Sequence, residues 1–299
     1  MTERPTTRLR KLIAGDRCVM APGVSDALAA RLVAQSGFDA VYMTGNGTSA
    51  QRLGMPDIGL LTMSEMIDNA QHIAEASNLP VIADADTGYG GPMNVRRTVR
   101  DYERAGVAAI HIEDQQWPKR CGHYEGKTLI PVEEMANKIK AAAESKTDPD
   151  FMIIARTDAI AVEGFEAAIE RGKACDTAGA DIIFIEAPIT DEHIESVPKI
   201  FKKPCLFNMS TSGKTPARSA DELTALGYKI VIYPNHVLMA AMKTAKQFLE
   251  NLKNSGSVAD VQDQLLSWDD RHALLGMDEV QELEARYGVA EEARAGTKR

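Results

Sequence analysis

The chain lacks several features that would classify it at once. It holds four cysteines in 299 residues (Cys18, Cys121, Cys175 and Cys205), and no two form a C-x-x-C pair. That scatter excludes a disulfide framework and a thiolate zinc ribbon, and it fits reduced thiols in a reducing compartment. No run of about 18 apolar residues occurs, so no membrane-spanning helix is expected. The first residues, MTERPTTRLRKLIAG, contain no signal-peptide apolar core. These absences point to the cytoplasm. Positive charge is scarce too: 34 Lys and Arg stand against 43 Asp and Glu, a formal net charge of −9. Nucleic acid and anionic membrane surfaces are therefore poor partners, whereas an anionic small molecule can still bind at a locally cationic or metal-bearing site. Neither a P-loop nor a G-x-G-x-x-G dinucleotide fingerprint is present.

What is present is a rhythm. Residues 37–43, 106–112, 179–185 and 227–233 share one pattern, a glycine and two linking residues followed by an apolar run. Each follows a segment of helical periodicity. Glycine there fits a left-handed helix end, and the run fits a buried parallel strand. Four further short runs, at Arg17–Ala21, Pro80–Ala83, Phe151–Ala155 and Pro204–Phe207, complete a set of eight. Eight strand–helix units in one chain predict a closed α/β barrel of the (β/α)8, TIM type, over residues 1–255. An amphipathic helix, Leu238–Leu252, follows the last strand, and Asn254-Ser-Gly-Ser interrupts it. Helices over roughly 259–267 and 277–286 then form a C-terminal extension, 256–299, that caps the barrel or reaches a neighbouring subunit.

Barrel chemistry collects at the C-terminal ends of the strands. Those ends read Thr44-Gly45-Asn46-Gly47, Asp84-Ala85-Asp86, Glu113-Asp114, Arg156-Thr157-Asp158, Glu186, Asn208 and Tyr233-Pro234-Asn235-His236. Asp84, Asp86 and Glu113 are the densest acidic group. Carboxylates this close repel unless a cation or a proton is shared among them. Hard oxygen donors without His or Cys favour Mg²⁺ (Mn²⁺ as second choice) over zinc, with several waters kept on the ion. The alternative is that Asp84 and Asp86 merely cap the next helix. A second group lies in Lys119-Arg120-Cys121-Gly122-His123. Its cations favour a thiolate and attract a carboxylate. A Cys-x-His zinc pair would need two more soft ligands, and none stands at a suitable spacing. Cys121 is then a nucleophile with His123 as base, a proton donor or acceptor, or an ordinary loop cysteine.

The combination Asp84-Ala-Asp-Thr-Gly-Tyr-Gly, Glu113-Asp-Gln, Lys119-Arg-Cys-Gly-His and Ala155-Arg-Thr-Asp resembles the isocitrate lyase / phosphoenolpyruvate mutase superfamily, in family order over about residues 10–250. The resemblance implies an α/β barrel whose C-terminal helix is exchanged between subunits of a homotetramer, a dimer of dimers. It implies Mg²⁺ and chemistry on 2-oxo or 2-hydroxy acids through an enolate. Position by position, it makes Asp84 and Asp86 the metal carboxylates, joined through water by Asp57 and Glu113. Thr44, Gly45 and Asn46 cradle the substrate's 2-oxo carboxylate, and Arg156 steadies the enolate oxygen or carboxylate. Cys121 protonates the departing carbanion. Lys119, Arg120 and Gly122 belong to the same substrate-contacting loop. Glu186 and Asn208 orient His123 and the substrate's far end, and residues 117–127 form a gate.

The function this implies is Mg²⁺-dependent carbon–carbon cleavage of a 2-hydroxy di- or tricarboxylate, of substituted-malate or methylisocitrate type. Oxaloacetate hydrolysis and phosphonopyruvate chemistry are the alternatives on the same site. Three departures favour a smaller substrate. Met239 stands where an arginine holds an extra carboxylate, and Thr211 where lyases have glutamate. Pro234-Asn235-His236 is nearer the mutase and phosphonopyruvate hydrolase branch.

Overall fold

Two interleaved apolar series run up each strand of the computed structural model, which describes residues 3–122, 124 and 126–288. The strands are β1 (Val19–Val24), β2 (Val41–Met43), β3 (Val81–Asp84), β4 (Ala109–Glu113), β5 (Met152–Thr157), β6 (Ile182–Ile185), β7 (Cys205–Asn208) and β8 (Ile230–Tyr233). They pair in parallel in chain order, and β8 closes on β1 with Val19 opposite Ile230 and Pro22 opposite Tyr233. The expected (β/α)8 barrel is therefore the fold.

Successive side chains of a strand point to opposite faces. In β5 and β6, Met152, Ile154, Ile182 and Phe184 fill the barrel interior, while Ile153, Ala155, Ile183 and Ile185 pack outward under the helices. Both faces are buried, which is why these segments read as continuous apolar runs rather than as alternation. The N-terminal end of the interior is plugged by Leu9 and Ile13. They come from a helix that precedes the first strand, α1 (Pro5–Ala14).

The surrounding helices are α2 (Ala27–Gln35), α3 (Gly45–Leu53), α4 (Met63–Ser77), α5 (Pro92–Arg104), α6 (Val132–Ala143), α7 (Phe165–Thr177), α8 (Asp191–Ile200) and α9 (Ala220–Leu226), and α10 (His236–Ser255) follows β8. Local chemistry sets their ends. Thr62 with Glu65 and Ser219 with Glu222 form capping boxes that start α4 and α9. Gly37, Gly106, Gly179 and Gly227 all have positive φ, the left-handed conformation expected of them.

Two expectations need correction. Strand β1 does not stop at Ala21 but continues through Pro22 and Gly23 to Val24. Those two residues read as punctuation, yet glycine is required at 23 because a Cβ there would lie 2.1 Å from the Pro234 carbonyl oxygen. The segment near 259–267 is a short 3₁₀ turn, Ala259–Gln264, and a separate helix, α11 (Trp268–Leu275), follows it.

The chain forms two compact units, Met1–Ala241 and Met242–Arg299, dividing inside α10. The first contains the barrel. In the second, the Ser267 side chain caps α11, and left-handed Gly276 turns the chain into α12 (Met277–Arg286). Among the described residues no helix is long and apolar enough to cross a membrane.

Candidate active site

The interior series of each strand continues upward and turns polar at the C-terminal mouth. Tyr42 leads to Thr44, Ile82 to Asp84, and Ala109 to His111 and Glu113. Ile154 leads to Arg156, Phe184 to Glu186, and Leu206 to Asn208. Because each step is two residues, these side chains converge on one cleft. Its walls include Thr44, Asp84, Glu113, Cys121, Arg156 and Asn208.

Thr44 follows β2 and caps α3, accepting from the Gly47 N–H at 3.2 Å. The Gly45 N–H donates to Asp84 Oδ2 at 3.2 Å. A Cβ on Gly45 would sit 2.4 Å from that oxygen, so only glycine lets α3 approach the carboxylate this closely. Asn46 lines the cleft beside it.

Asp84 and Asp86 do not cap the next helix, because the N-cap of α5 is Gly91. Instead Asp84 Oδ1 accepts from the Asp86 N–H at 2.9 Å, and Asp86 is held at φ +48°. A non-glycine residue in that region is strained and persists only where its surroundings impose it. Lys119 crosses from the β4–α6 connection into this nest. Its Nζ lies 2.7 Å from Asp57 and 2.6 Å from Asp86 Oδ1, the latter an ion-pair distance without hydrogen-bond geometry. Burial opposes the charge on Asp84, but His111, Lys119 and Arg156 together hold its carboxyl below the usual range. At neutral pH Lys119 and Arg156 carry that effect, since burial pushes His111 itself down to about 4. Asp86 is pushed up to about 7 by burial, aided by the Asp84 and Asp57 charges and opposed by Lys119. Burial also drives Glu113 up, against the attraction of Arg156.

Arg156 is held by Asp158, which accepts from Nε at 2.9 Å and from Nη2 at 3.1 Å. The guanidinium also lies 3.4 Å from both Glu113 and Glu186 and rests over the Phe184 ring at 5.2 Å. Asn208 Nδ2 donates to both Glu186 oxygens, at 3.1 and 3.2 Å.

The loop after β4 is tied down at its base. The Gln116 N–H donates to the Thr128 carbonyl at 2.8 Å, and Gln115 bonds the Arg120 backbone at N–H and carbonyl. The Cys121 N–H donates to the Asp57 carbonyl at 3.2 Å, which brings the partly buried thiol into the cleft wall with Gly122. Arg120 is exposed and does not line the cleft. His123 lies outside the described residues. Met239 lies on α10, 52% exposed and away from the cleft wall, whereas Thr211 and Asn235 line it.

Five residues without an assigned role in the sequence reading complete the site. Tyr42 and Ser210 line the cleft. His111 bonds the Tyr42 hydroxyl at 2.8 Å. Asp158 and Lys127 pair at 3.0 Å. For Tyr42, His111 and Asp158 the two-residue phase was a usable signal. Lys127 had none beyond lying in the loop.

A parallel barrel with buried carboxylates, an arginine and a thiol converging at its C-terminal mouth is the frame of an enzyme. The family model described as phosphoenolpyruvate phosphomutase matches residues 9–253, and the chain belongs to this family within the PEP mutase/isocitrate lyase superfamily. Its curated relatives include named lyases. It is 47% identical to 2,3-dimethylmalate lyase of Eubacterium barkeri, over 94% of this chain and 98% of that protein. It is 43% identical to 2-methylisocitrate lyase of Aeropyrum pernix, over 95% and 91% respectively. Among solved structures, oxaloacetate acetylhydrolase in complex with 3,3-difluorooxalacetate superposes with a TM-score of 0.91 at 36% identity, covering 95% of this chain and 97% of that one. Phosphonopyruvate hydrolase in complex with oxalate and Mg²⁺ superposes at 0.86 and 32% identity, covering 95% and 99%.

Proposed function

We propose that the protein is a Mg²⁺-dependent carbon–carbon lyase. It cleaves a 2-hydroxy dicarboxylate of the substituted-malate type to a 2-oxo acid and a carboxylate. The observation that carries this reading is one cleft that joins a carboxylate nest, Arg156 and Cys121. The homology to named dimethylmalate and methylisocitrate lyases supports it.

The donor set suits a hard divalent cation. Asp86 Oδ1 and Glu113 Oε1 are buried oxygens without a hydrogen-bond donor, and the buried Lys119 ammonium marks the nest as a place that takes positive charge. Among the described residues no three ligating side chains converge on one point, and Mg²⁺ ordinarily takes one or two carboxylates and keeps several waters. Asp84 and Asp86, with Asp57 and Glu113 through water, would hold it. When bound, the metal polarises the 2-oxo acid's oxygens and stabilises charge developing there. The relative solved with Mg²⁺ and oxalate supports this choice of ion and of ligand class.

The chain's own groups do the rest. Thr44, Gly45 and Asn46, at the α3 N-terminus, cradle the carboxylate, where the helix dipole favours negative charge. Arg156, pre-set by Asp158 and Phe184, steadies the developing oxyanion without reorganising. In cleavage the 2-hydroxyl proton passes to a carboxylate of the cleft, the C2–C3 bond breaks and the electron pair stays on C3 as an enediolate. The Cys121 thiol gives its proton to that carbon, and the proton taken from the hydroxyl restores the thiol, so the step balances. Among the described residues the cations lining the cleft are Lys119 and Arg156, both engaged with carboxylates, and Ser210, Thr211 and Asn235 are neutral. That lining favours a dicarboxylate over a tricarboxylate. The oxaloacetate acetylhydrolase likeness supports hydrolysis of oxaloacetate as the second reading.

The test is Cys121→Ser. Loss of cleavage with Mg²⁺ binding retained supports proton donation by the thiol, and full turnover removes Cys121 from that role. The homotetramer with exchanged C-terminal helices and the cytoplasmic location stand beside this reading as proposals.

A further inference from the structure

We infer that Lys127 and Asp158 are positioning residues that dock the Cys121 segment onto Arg156. The inference deepens the proposed function and rests on it for the role of the thiol.

Lys127 is buried, although a lysine in a loop ordinarily keeps its ammonium in water. Its Nζ donates to the Gly122 carbonyl and pairs with Asp158 Oδ1 at 3.0 Å. The first fixes the peptide next to Cys121. The second ties that peptide to the carboxylate already gripping the Arg156 guanidinium. Gly122 confirms how close the docking is. A Cβ there would lie 2.3 Å from Arg156 Nη2 and 3.0 Å from Asp158 Oδ1, so the loop backbone rests directly on the substrate-facing arginine.

Asp158 is anchored in turn. Its N–H donates to Asp114 Oδ1 at 3.0 Å, and Asp114 Oδ2 accepts from the Thr157 hydroxyl at 2.6 Å and from Arg171 Nη1 at 3.3 Å. Arg171 also donates to the Ile130 carbonyl at 2.9 Å, and the Ile130 N–H donates to the Asp114 carbonyl at 2.9 Å. Both stems of the loop therefore end on the network that holds Asp158. A pair serving only barrel stability would have no need to reach the Gly122 carbonyl.

The experiment measures alkylation of Cys121 by iodoacetamide, followed by mass spectrometry on the folded full-length chain. Cys18, Cys175 and Cys205 serve as an internal reference, since all three are buried and burial pushes their thiols up to about 12. Loss of a charge-assisted hydrogen bond predicts about tenfold faster alkylation of Cys121 in Lys127→Met, with the reference thiols unchanged. Lys127→Arg should restore the slow rate. With substrate, Lys127→Met should lower kcat more than it changes KM, because Arg156 stays in place. If Lys127→Met does not fold, Asp158→Asn provides the same alkylation readout with Lys127 present. An unchanged Cys121 rate in the folded variant overturns the inference. The alkylation arm needs no turnover, so an error in the substrate assignment leaves it intact.

Discussion

Lys119 Nζ lies 2.6 Å from Asp86 Oδ1, with both side chains buried. An ammonium thus occupies the place where the proposed account needs a metal's positive charge. Removing one partner of a buried pair leaves an uncompensated charge, at a cost of about 3–5 kcal/mol. Lys119→Met should therefore melt at lower temperature than wild type in EDTA and recover much of the loss with Mg²⁺. Thermal melts in the two buffers check this. Equal melting temperatures for the variant with and without Mg²⁺ would separate Lys119 from the metal nest.

Asp86→Ala should abolish Mg²⁺ binding and turnover together. Titration calorimetry and a cleavage assay on the same preparation provide the check. Mg²⁺-dependent activity surviving in the variant would remove Asp86 from the site.

The barrel was legible because a strand buried on both faces writes itself as an unbroken apolar run, and because glycine marks the helix end before four of the eight strands. The polar rim was legible as chain chemistry at strand ends. Its register is equally legible: counting back two residues from Asp84, Arg156 and Glu186 lands on the interior residues Ile82, Ile154 and Phe184. The same count from Glu113 places His111 inside. What the sequence could not reveal is pairing across the rim. Nothing local in Lys127 says that it meets Asp158, since that contact spans 31 residues and depends on how the loop folds back. Lys119 read as a cation offered to substrate, while the fold pairs it with Asp57 and Asp86.

Acid should expose the Asp158 pair. Burial opposes its charge, but Arg156 and Lys127 outweigh that and hold its carboxyl well below the usual range. A carboxyl depressed in the folded state stabilises above its unfolded pKa of about 3.9, and that stability is lost as pH falls through it towards the lower folded value. Melting temperatures of wild type should therefore drop more steeply than those of Asp158→Asn below about pH 4. Parallel curves would contradict the assignment.

If the C-terminal helices are exchanged between subunits, a chain ending at Asn254 should dissociate to fewer subunits per particle by light scattering. An unchanged oligomer would reject the exchange.

The most direct measurement is a proton NMR time course of the protein with Mg²⁺ and 2,3-dimethylmalate, run beside an oxaloacetate sample. The account predicts pyruvate and propionate growing in equal amounts in the first sample. Oxalate and acetate from oxaloacetate, with 2,3-dimethylmalate untouched, would contradict it.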